Sequence, residues 1–348
     1  MDFLSFVRDT ASNPLLAVTV LLTFGVILVN GWTDSPNAIA TAVSTRALSV
    51  RSAIILAAVM NFLGVFVMTM ISATVAETIF HMVDFGGNAY DSIVALCAAM
   101  VAIVVWASGA SYFGIPTSES HALIAGLSGA AIGMHGSLAG INGAEWVKVV
   151  YGLILSSILG FGFGYITTKI IAVLFCGGYR RPLANGFRKA QIGAAAGMAF
   201  MHGAQDGQKF MAVFMLGIML NKGQTATHAF TVPVWMMLLS SVIMALGTSI
   251  GGYRIIKSVG MDMVKLEPYQ GFAADMGASV SLLLAQIFGL PVSTTQTKTM
   301  AIVGVGASGR LSSVKWRIVG DMVASWVLTF PCCGLIGYGM TKLFMAIF

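Results

Sequence analysis

The chain has 348 residues, 57% of them hydrophobic and only 9% charged, with a mean hydropathy of +0.88. A soluble domain carries about 25% charged residues, so a disordered chain, a basic nucleic-acid-binding domain and an ordinary soluble enzyme are excluded, and a polytopic helical membrane protein is left. The net charge of +6 then speaks to loop orientation rather than to nucleic acid, and the four cysteines (Cys97, Cys176, Cys332, Cys333) form neither a C-x-x-C nor a metal spacing.

Runs of about 20 residues free of Asp, Glu, Lys and Arg are long enough to span a bilayer as helices. The first covers 10–33 and leads directly into NGWTDSPNAIATAV from Asn30. Asp2 and Asp9 precede it and no A-x-A site follows, so it is not read as a cleavable signal. Asn30, Asp34, Asn37 and Thr41 recur at i, i+4, i+7 and i+11, on one helix face. A carboxylate in hydrocarbon costs about 2.5–3.5 kcal/mol, so Asp34 demands a function or a partner. Pro36 frees a carbonyl nearby. A carboxylate, amide oxygens, a hydroxyl and a free carbonyl suit a small hard cation; a buried polar network locking two helices is the alternative.

The next run, 52–76, is followed by the acidic loop 77–91, and then 92–118 and 120–144 are parted only by Glu119. Around that residue GIPTSESH starts at Gly114: Pro116, the hydroxyls of Thr117, Ser118 and Ser120, then His121 and small apolar residues. The pattern reads as a helix start, and 116–134 can equally be re-entrant. A further run, 149–168, precedes the basic stretch GGYRRPLANGFRK over 177–189. The segment 190–221 is interrupted by HGAQDGQKFMAVF from His202, which carries Gln205, Asp206, Gln208 and Lys209. Runs at 223–253 and 276–297 follow, the latter containing GLPVSTTQ from Gly289, with Pro291, Ser293, Thr294 and Thr295 forming a second helix start. The segment 293–309 is interrupted by Lys298, and 322–341 is the last run. Helix N-termini offer free N–H groups and a positive dipole end, and so take oxyanions; plain capping is the competing use. Lys209 and Lys298 can neutralise an anion, pair with Asp34, Glu119 or Asp206, or snorkel. His121 and His202 read as hydrogen-bond partners, with proton carriage the alternative.

These segments make ten apparent crossings. Alternate connections hold Arg46, Arg51, Arg180, Arg181, Arg188, Lys189, Arg254, Lys257, Lys265, Arg310, Lys315 and Arg317, against Arg8, Lys148, Lys222 and Lys342 on the other side. The richer side is cytoplasmic, which puts both termini outside. Asp34 and Asp206 lie 172 residues apart, and Pro116 and Pro291 lie 175 apart. Two motif pairs in one order at nearly one offset predict a duplication: an N-terminal repeat 1–176, a basic cytoplasmic linker 177–189 and a C-terminal repeat 190–348. Five crossings per repeat is odd, so the repeats are expected to be inverted, with broken helices and a site near the midplane.

The four motifs, at 30–49, 114–133, 202–209 and 289–308, resemble the paired signatures and Ser/Thr-rich hairpins of the inorganic phosphate transporter (PiT) family, and the resemblance covers nearly the whole chain. It implies a symporter of inorganic phosphate in the cell membrane, coupled to Na+ or H+, often homodimeric, with no other cofactor. It implies that Thr117, Ser118, Ser120, Ser293, Thr294 and Thr295 help hold phosphate. It implies that Asp34 and Asp206, with Asn37, hold the coupling cation, with Na+ at Asp34 and Asp206; the residues themselves add Gln205 as a ligand, with Asn30, Glu119, Lys209 and Lys298 in support. Thr33, Gln205, Gln296 and Glu119 depart from the family pattern and bear on cation identity. A sulfate permease of the same fold and a passive anion channel are the competing functions. The chain is not read as an enzyme: a hydrolase built on Ser118 and His121 has no G-x-S-x-G elbow, and the second copy lacks the histidine.

Overall fold

A computed structural model describes residues 2–86, 88–113, 117–176, 180–223, 231–250, 256 and 263–348. Gly114 and Pro116 of the first hairpin motif, positions 177–179 of the basic stretch, and the loop charges Arg254 and Lys257 lie outside the described residues. The described chain is helical, with one isolated bridge between Val83 and Ile141.

A short α1 (Phe3–Ser12) leads into α2 (Pro14–Thr33), whose first turn is capped by the Asn13 carboxamide, which accepts from Leu15 N at 3.0 Å, with Pro14 at the first helical position. The helix breaks at Asp34 and resumes as α3 (Ser35–Ser44). Pro36 has no N–H to return to the preceding turn, which accounts for the break. Then follow α4 (Val50–Ile71), a short α5 (Thr74–Phe80), α6 (Ala89–Phe113), α7 (Glu119–His135) and α8 (Gly143–Leu174). The second half holds α9 (Arg180–Asn221), α10 (Val234–Ile250), α11 (Pro268–Ile287), α12 (Thr294–Gly309) and α13 (Trp316–Ile347). From Arg180 onward the basic stretch is already the beginning of α9.

Of the ten expected crossings, four pair into two hairpins. At the end of α7, His135 Nε2 lies 2.9 Å from the Asp84 carbonyl, just ahead of α6, so α6 and α7 begin and end at the same side of the molecule. Likewise Lys315 N, just past α12, donates to the Met263 carbonyl, just before α11, at 3.3 Å. The helices α7 and α12 have 17 and 16 residues, about 25 Å at 1.5 Å per residue and short of the roughly 30 Å of hydrocarbon. The 32-residue α8 starts beside the open end of the first hairpin and finishes with Phe175 against Phe187, which in turn packs on Tyr269 at the start of α11. The two hairpins therefore open toward opposite ends of α8. Among the described helices, Pro14–Ser44, Val50–Ile71, Ala89–Phe113, Gly143–Leu174 and Trp316–Ile347 are long and apolar enough to span a bilayer. The run expected at 276–297 is displaced: α11 starts at Pro268 and carries Asp275 inside it. Gly289, at φ +63°, makes the left-handed turn that sends the chain from α11 toward α12.

Packing is reciprocal between the halves. The hairpin helix α7 lies along α13, and α12 lies along α8. Close backbone approach makes this possible: a Cβ on Gly129 would collide with the Gly334 backbone, and one on Gly304 with the Phe161 backbone. In the same way α2 packs on α10 through Gly31, and α9 packs on α4 through Gly203. Large apolar side chains, such as Ile154, Ile158 and Val173 on α8 and Val327, Leu328 and Leu335 on α13, remain on the surface. Polar and charged groups run the other way: Asp34, Glu119, Asp206, Lys209, Asp275 and Lys298 are all buried. An apolar exterior around an ionic interior is the pattern of a multi-pass membrane protein.

Candidate functional site

The α2–α3 break and the N-termini of α7 and α12 converge on the middle of α9. Ser118 caps α7, its Oγ accepting from His121 N at 3.3 Å, and Ser293 caps α12, accepting from Gln296 N at 3.1 Å. Both cap oxygens accept from their own helices, as capping requires, and each hydroxyl keeps its O–H as a donor. The residues just past the caps face the acids instead. Thr294 Oγ1 donates to Asp206 Oδ2 at 3.0 Å, and Thr295 Oγ1 donates to Asp34 Oδ1. Ser120 Oγ accepts from the Lys209 ammonium at 2.7 Å. Thr117 is buried immediately before the first cap.

Lys209 joins the two helix starts. Besides Ser120, its Nζ donates to Asp206 Oδ1 at 2.6 Å and to the carbonyl of Val292, just ahead of α12. Asp206 Oδ2 also lies 3.5 Å from Asn30 Nδ2 and 3.3 Å from His202 Nε2, while His202 Nδ1 lies 3.0 Å from Asn61 Oδ1. Asp34, His202 and Asp206 each offer a ligand atom, all within 4.8 Å of one another. Asp34 Oδ1 accepts from Asn37 Nδ2 at 2.9 Å, and Asn37 Nδ2 also donates to Thr295 Oγ1 at 2.9 Å. Glu119 Oε1 accepts from Thr33 Oγ1 at 2.6 Å. Gln205 reaches only the Leu282 carbonyl, at 3.5 Å.

Several acceptors in this cluster have no hydrogen-bond partner within the described residues: Asn30 Oδ1, Asp34 Oδ2, Asn37 Oδ1, Glu119 Oε2 and Gln205 Oε1. Buried acceptors without donors are costly, and two belong to carboxylates that no described lysine or arginine contacts. Oxygen-only donors of this kind fit a hard cation. The helix starts supply N–H groups, and the Lys209 ammonium, whose three N–H groups meet Ser120, Asp206 and Val292, supplies positive charge, the complementary chemistry for an oxyanion next to it.

Most of the residues expected at the site meet there: Asn37 and Thr295 gather on Asp34, and Asn30, Ser120, Lys209 and Thr294 on Asp206, with ligand atoms of the two aspartates within 4.8 Å of each other, while Glu119, next to Ser120, bonds Thr33, next to Asp34. Lys298 does not join it. It sits one turn further along α12 and pairs with Asp275, with Thr41 Oγ1 at 3.2 Å from its ammonium and 2.7 Å from the same carboxylate oxygen. Nor does His121 join by its ring, which packs on Phe330 with centroids 4.9 Å apart. Two buried polar residues nearby have no role in the sequence reading. Asp275, the partner of Lys298, interrupts the apolar run and so falls outside it; the small residues on both sides of it, GFAADMGASVS from Gly271, are the signal that it lies inside a packed helix. Asn61, which bonds Ser35 Oγ at 2.8 Å and Thr248 Oγ1 at 2.9 Å, lies in an otherwise apolar run.

A model of the phosphate transporter family matches residues 30–337. A Bacillus subtilis protein named "Probable low-affinity inorganic phosphate transporter" is 37% identical over 93% of this chain and 96% of its own. A Rhizobium meliloti protein of the same name is 34% identical over 94% of this chain and 96% of its own. Among solved structures, one titled "The sodium-dependent phosphate transporter" shares the fold with a TM-score of 0.87 at 22% identity, covering 97% of this chain and 100% of that one.

Proposed function

Since this chain belongs to the phosphate transporter family, we propose that it imports inorganic phosphate across the cell membrane together with a cation, Na+ or H+, as a secondary active symporter. One observation supports this most: the Lys209 ammonium contacts both helix starts and Asp206 at once, beside a second aspartate whose Oδ2 has no protein partner. The first group of donors suits a tetrahedral oxyanion and the second suits a cation. Neither ion alone is well accommodated in such a dry interior, because an uncompensated buried charge is costly. Each lowers the cost of the other, which gives the reciprocal coupling a symporter needs.

In this reading Thr294 and Thr295 exchange their carboxylate acceptors for phosphate oxygens and Ser120 donates its hydroxyl to phosphate, while Thr117, Ser118 and Ser293 hold the two helix starts in place. Asp34 with Asn37 holds the cation, and Asn30 and Glu119 complete the oxygen shell. The opposed openings of the two hairpins support an inverted repeat divided near the start of α9. The excess of Lys and Arg in alternate loops supports both termini outside. A second copy of the chain is the expected protein partner.

Uptake of radiolabelled phosphate into proteoliposomes, with Na+ and proton gradients imposed separately, tests the proposal. Accumulation driven by one gradient is expected. Uptake that only equilibrates under either gradient would mark a passive channel, and stronger accumulation of sulfate than of phosphate would mark a sulfate permease.

A further inference from the structure

We propose that the Lys209 ammonium is a built-in cation: it fills one of two equivalent cation cages and leaves only the Asp34 cage to take an ion from solution. The inference rests on the symport reading above and specifies its stoichiometry. The two signatures correspond residue by residue. The 172-residue offset sets Asp34 against Asp206 and Asn37 against Lys209; the 175-residue offset sets Ser120 against Thr295.

The contacts follow the same correspondence. In the first set, Asn37 Nδ2 donates to Asp34 Oδ1 and to Thr295 Oγ1, both at 2.9 Å. In the second, Lys209 Nζ donates to Asp206 Oδ1 at 2.6 Å and to Ser120 Oγ at 2.7 Å. In each set the residue three positions after the aspartate ties it to the hydroxyl two positions past the helix cap of the opposite half. The geometry is shared, and the charge is not.

Around Lys209 stand a carboxylate, a hydroxyl and the Val292 carbonyl, a donor set that a hard monovalent cation would also take. Both oxygens of Asp206 are occupied, Oδ1 by the ammonium and Oδ2 by Thr294 and Asn30. Among the described residues, the Asp34 set holds no cationic side chain, and Asp34 Oδ2 and Asn37 Oδ1 are buried without a hydrogen-bond partner. The identity of residue 209 therefore sets how many cations accompany the anion. Lysine supplies one charge permanently; asparagine, the residue of the first copy, would open its cage to solution.

The test compares wild type, Lys209→Asn and Asn37→Lys. Detergent-purified protein is titrated with NaCl against choline chloride while thermal unfolding is followed, because each native-state site adds its own logarithmic dependence on ligand. The Na+-dependent rise in Tm should steepen in Lys209→Asn by the contribution of one added site. In proteoliposomes the order of phosphate uptake in Na+ should rise by one. Asn37→Lys places an ammonium in the first cage and should lower the order in the coupling cation by one. An unchanged Na+ slope in a folded Lys209→Asn, or an unchanged order in Asn37→Lys, overturns the proposal. Loss of gradient-driven uptake in wild type would instead count against the symport reading, while the Na+ slopes would still report on the cages.

Discussion

Two buried lysine–aspartate pairs divide the interior between them, and they differ in what surrounds them. Lys209–Asp206 stands where both helix starts and both signatures meet, with unpartnered oxygens of Asp34, Asn37, Asn30 and Glu119 in the same cluster. Lys298–Asp275 is a smaller knot, joined only by Thr41, that ties α3 to the second hairpin. The first pair has a counterpart at the 172-residue offset, the aspartate–asparagine set of Asp34 and Asn37. The second has none: at the 175-residue offset, Lys298 corresponds to Leu123 and Asp275 to Met100. The same ionic chemistry thus stands between matching motifs in one place and in a one-sided clasp in the other.

The sharpest way to break this comparison is to remove one charge from each pair. Asp206→Ala and Asp275→Ala each strand a buried ammonium, and each should cost about 3–5 kcal/mol of stability, read as a large fall in Tm and in expression. The paired replacements then separate the two. Asp275→Leu with Lys298→Met should regain most of that stability, since exchanging a buried pair for apolar residues of similar volume is often neutral or favourable by about 1–4 kcal/mol, and phosphate uptake should persist. Asp206→Leu with Lys209→Met should regain stability in the same way, yet take up no phosphate. If both double variants transport, the distinction between site and clasp fails.

Smaller effects sharpen the reciprocal packing that positions the site. Gly129→Leu and Gly304→Leu force apart α7 from α13 and α12 from α8, and each should cost about 1–3 kcal/mol, the usual range for overpacking, with matched losses of Tm. A loss confined to one of them would argue against equivalent roles for the two hairpins. The smallest effect is expected at the clasp itself. Thr41→Val removes one hydroxyl from between Lys298 and Asp275 and should cost about 1 kcal/mol, a shift visible by thermal unfolding with uptake retained.

Much of this architecture is legible from residues alone, and the limits are instructive. Asp34 and Asp206 stand out because an acid inside an apolar run is expensive. Their spacing against Pro116 and Pro291 is what suggests a duplication. Hairpins are less visible, since 92–118 and 120–144 have the hydrophobicity of full crossings and only the lengths of α7 and α12 distinguish them. Lys209 lies three residues after Asp206, so their contact follows from helical spacing. Its bond to Ser120, 89 residues away, depends on the tertiary meeting of opposite halves. Lys298 is ambiguous for the reverse reason: its true partner, Asp275, lies 23 residues upstream, in a helix that begins at Pro268, before the uncharged run does.

The most direct measurement concerns Asp34, whose free carboxylate oxygen is assigned to the coupling cation. In proteoliposomes with a cation gradient of the kind that drives the wild type, Asp34→Asn should still reconstitute as folded protein but bring internal phosphate no higher than its external concentration. Accumulation of phosphate by Asp34→Asn to the wild-type ratio would contradict the assignment.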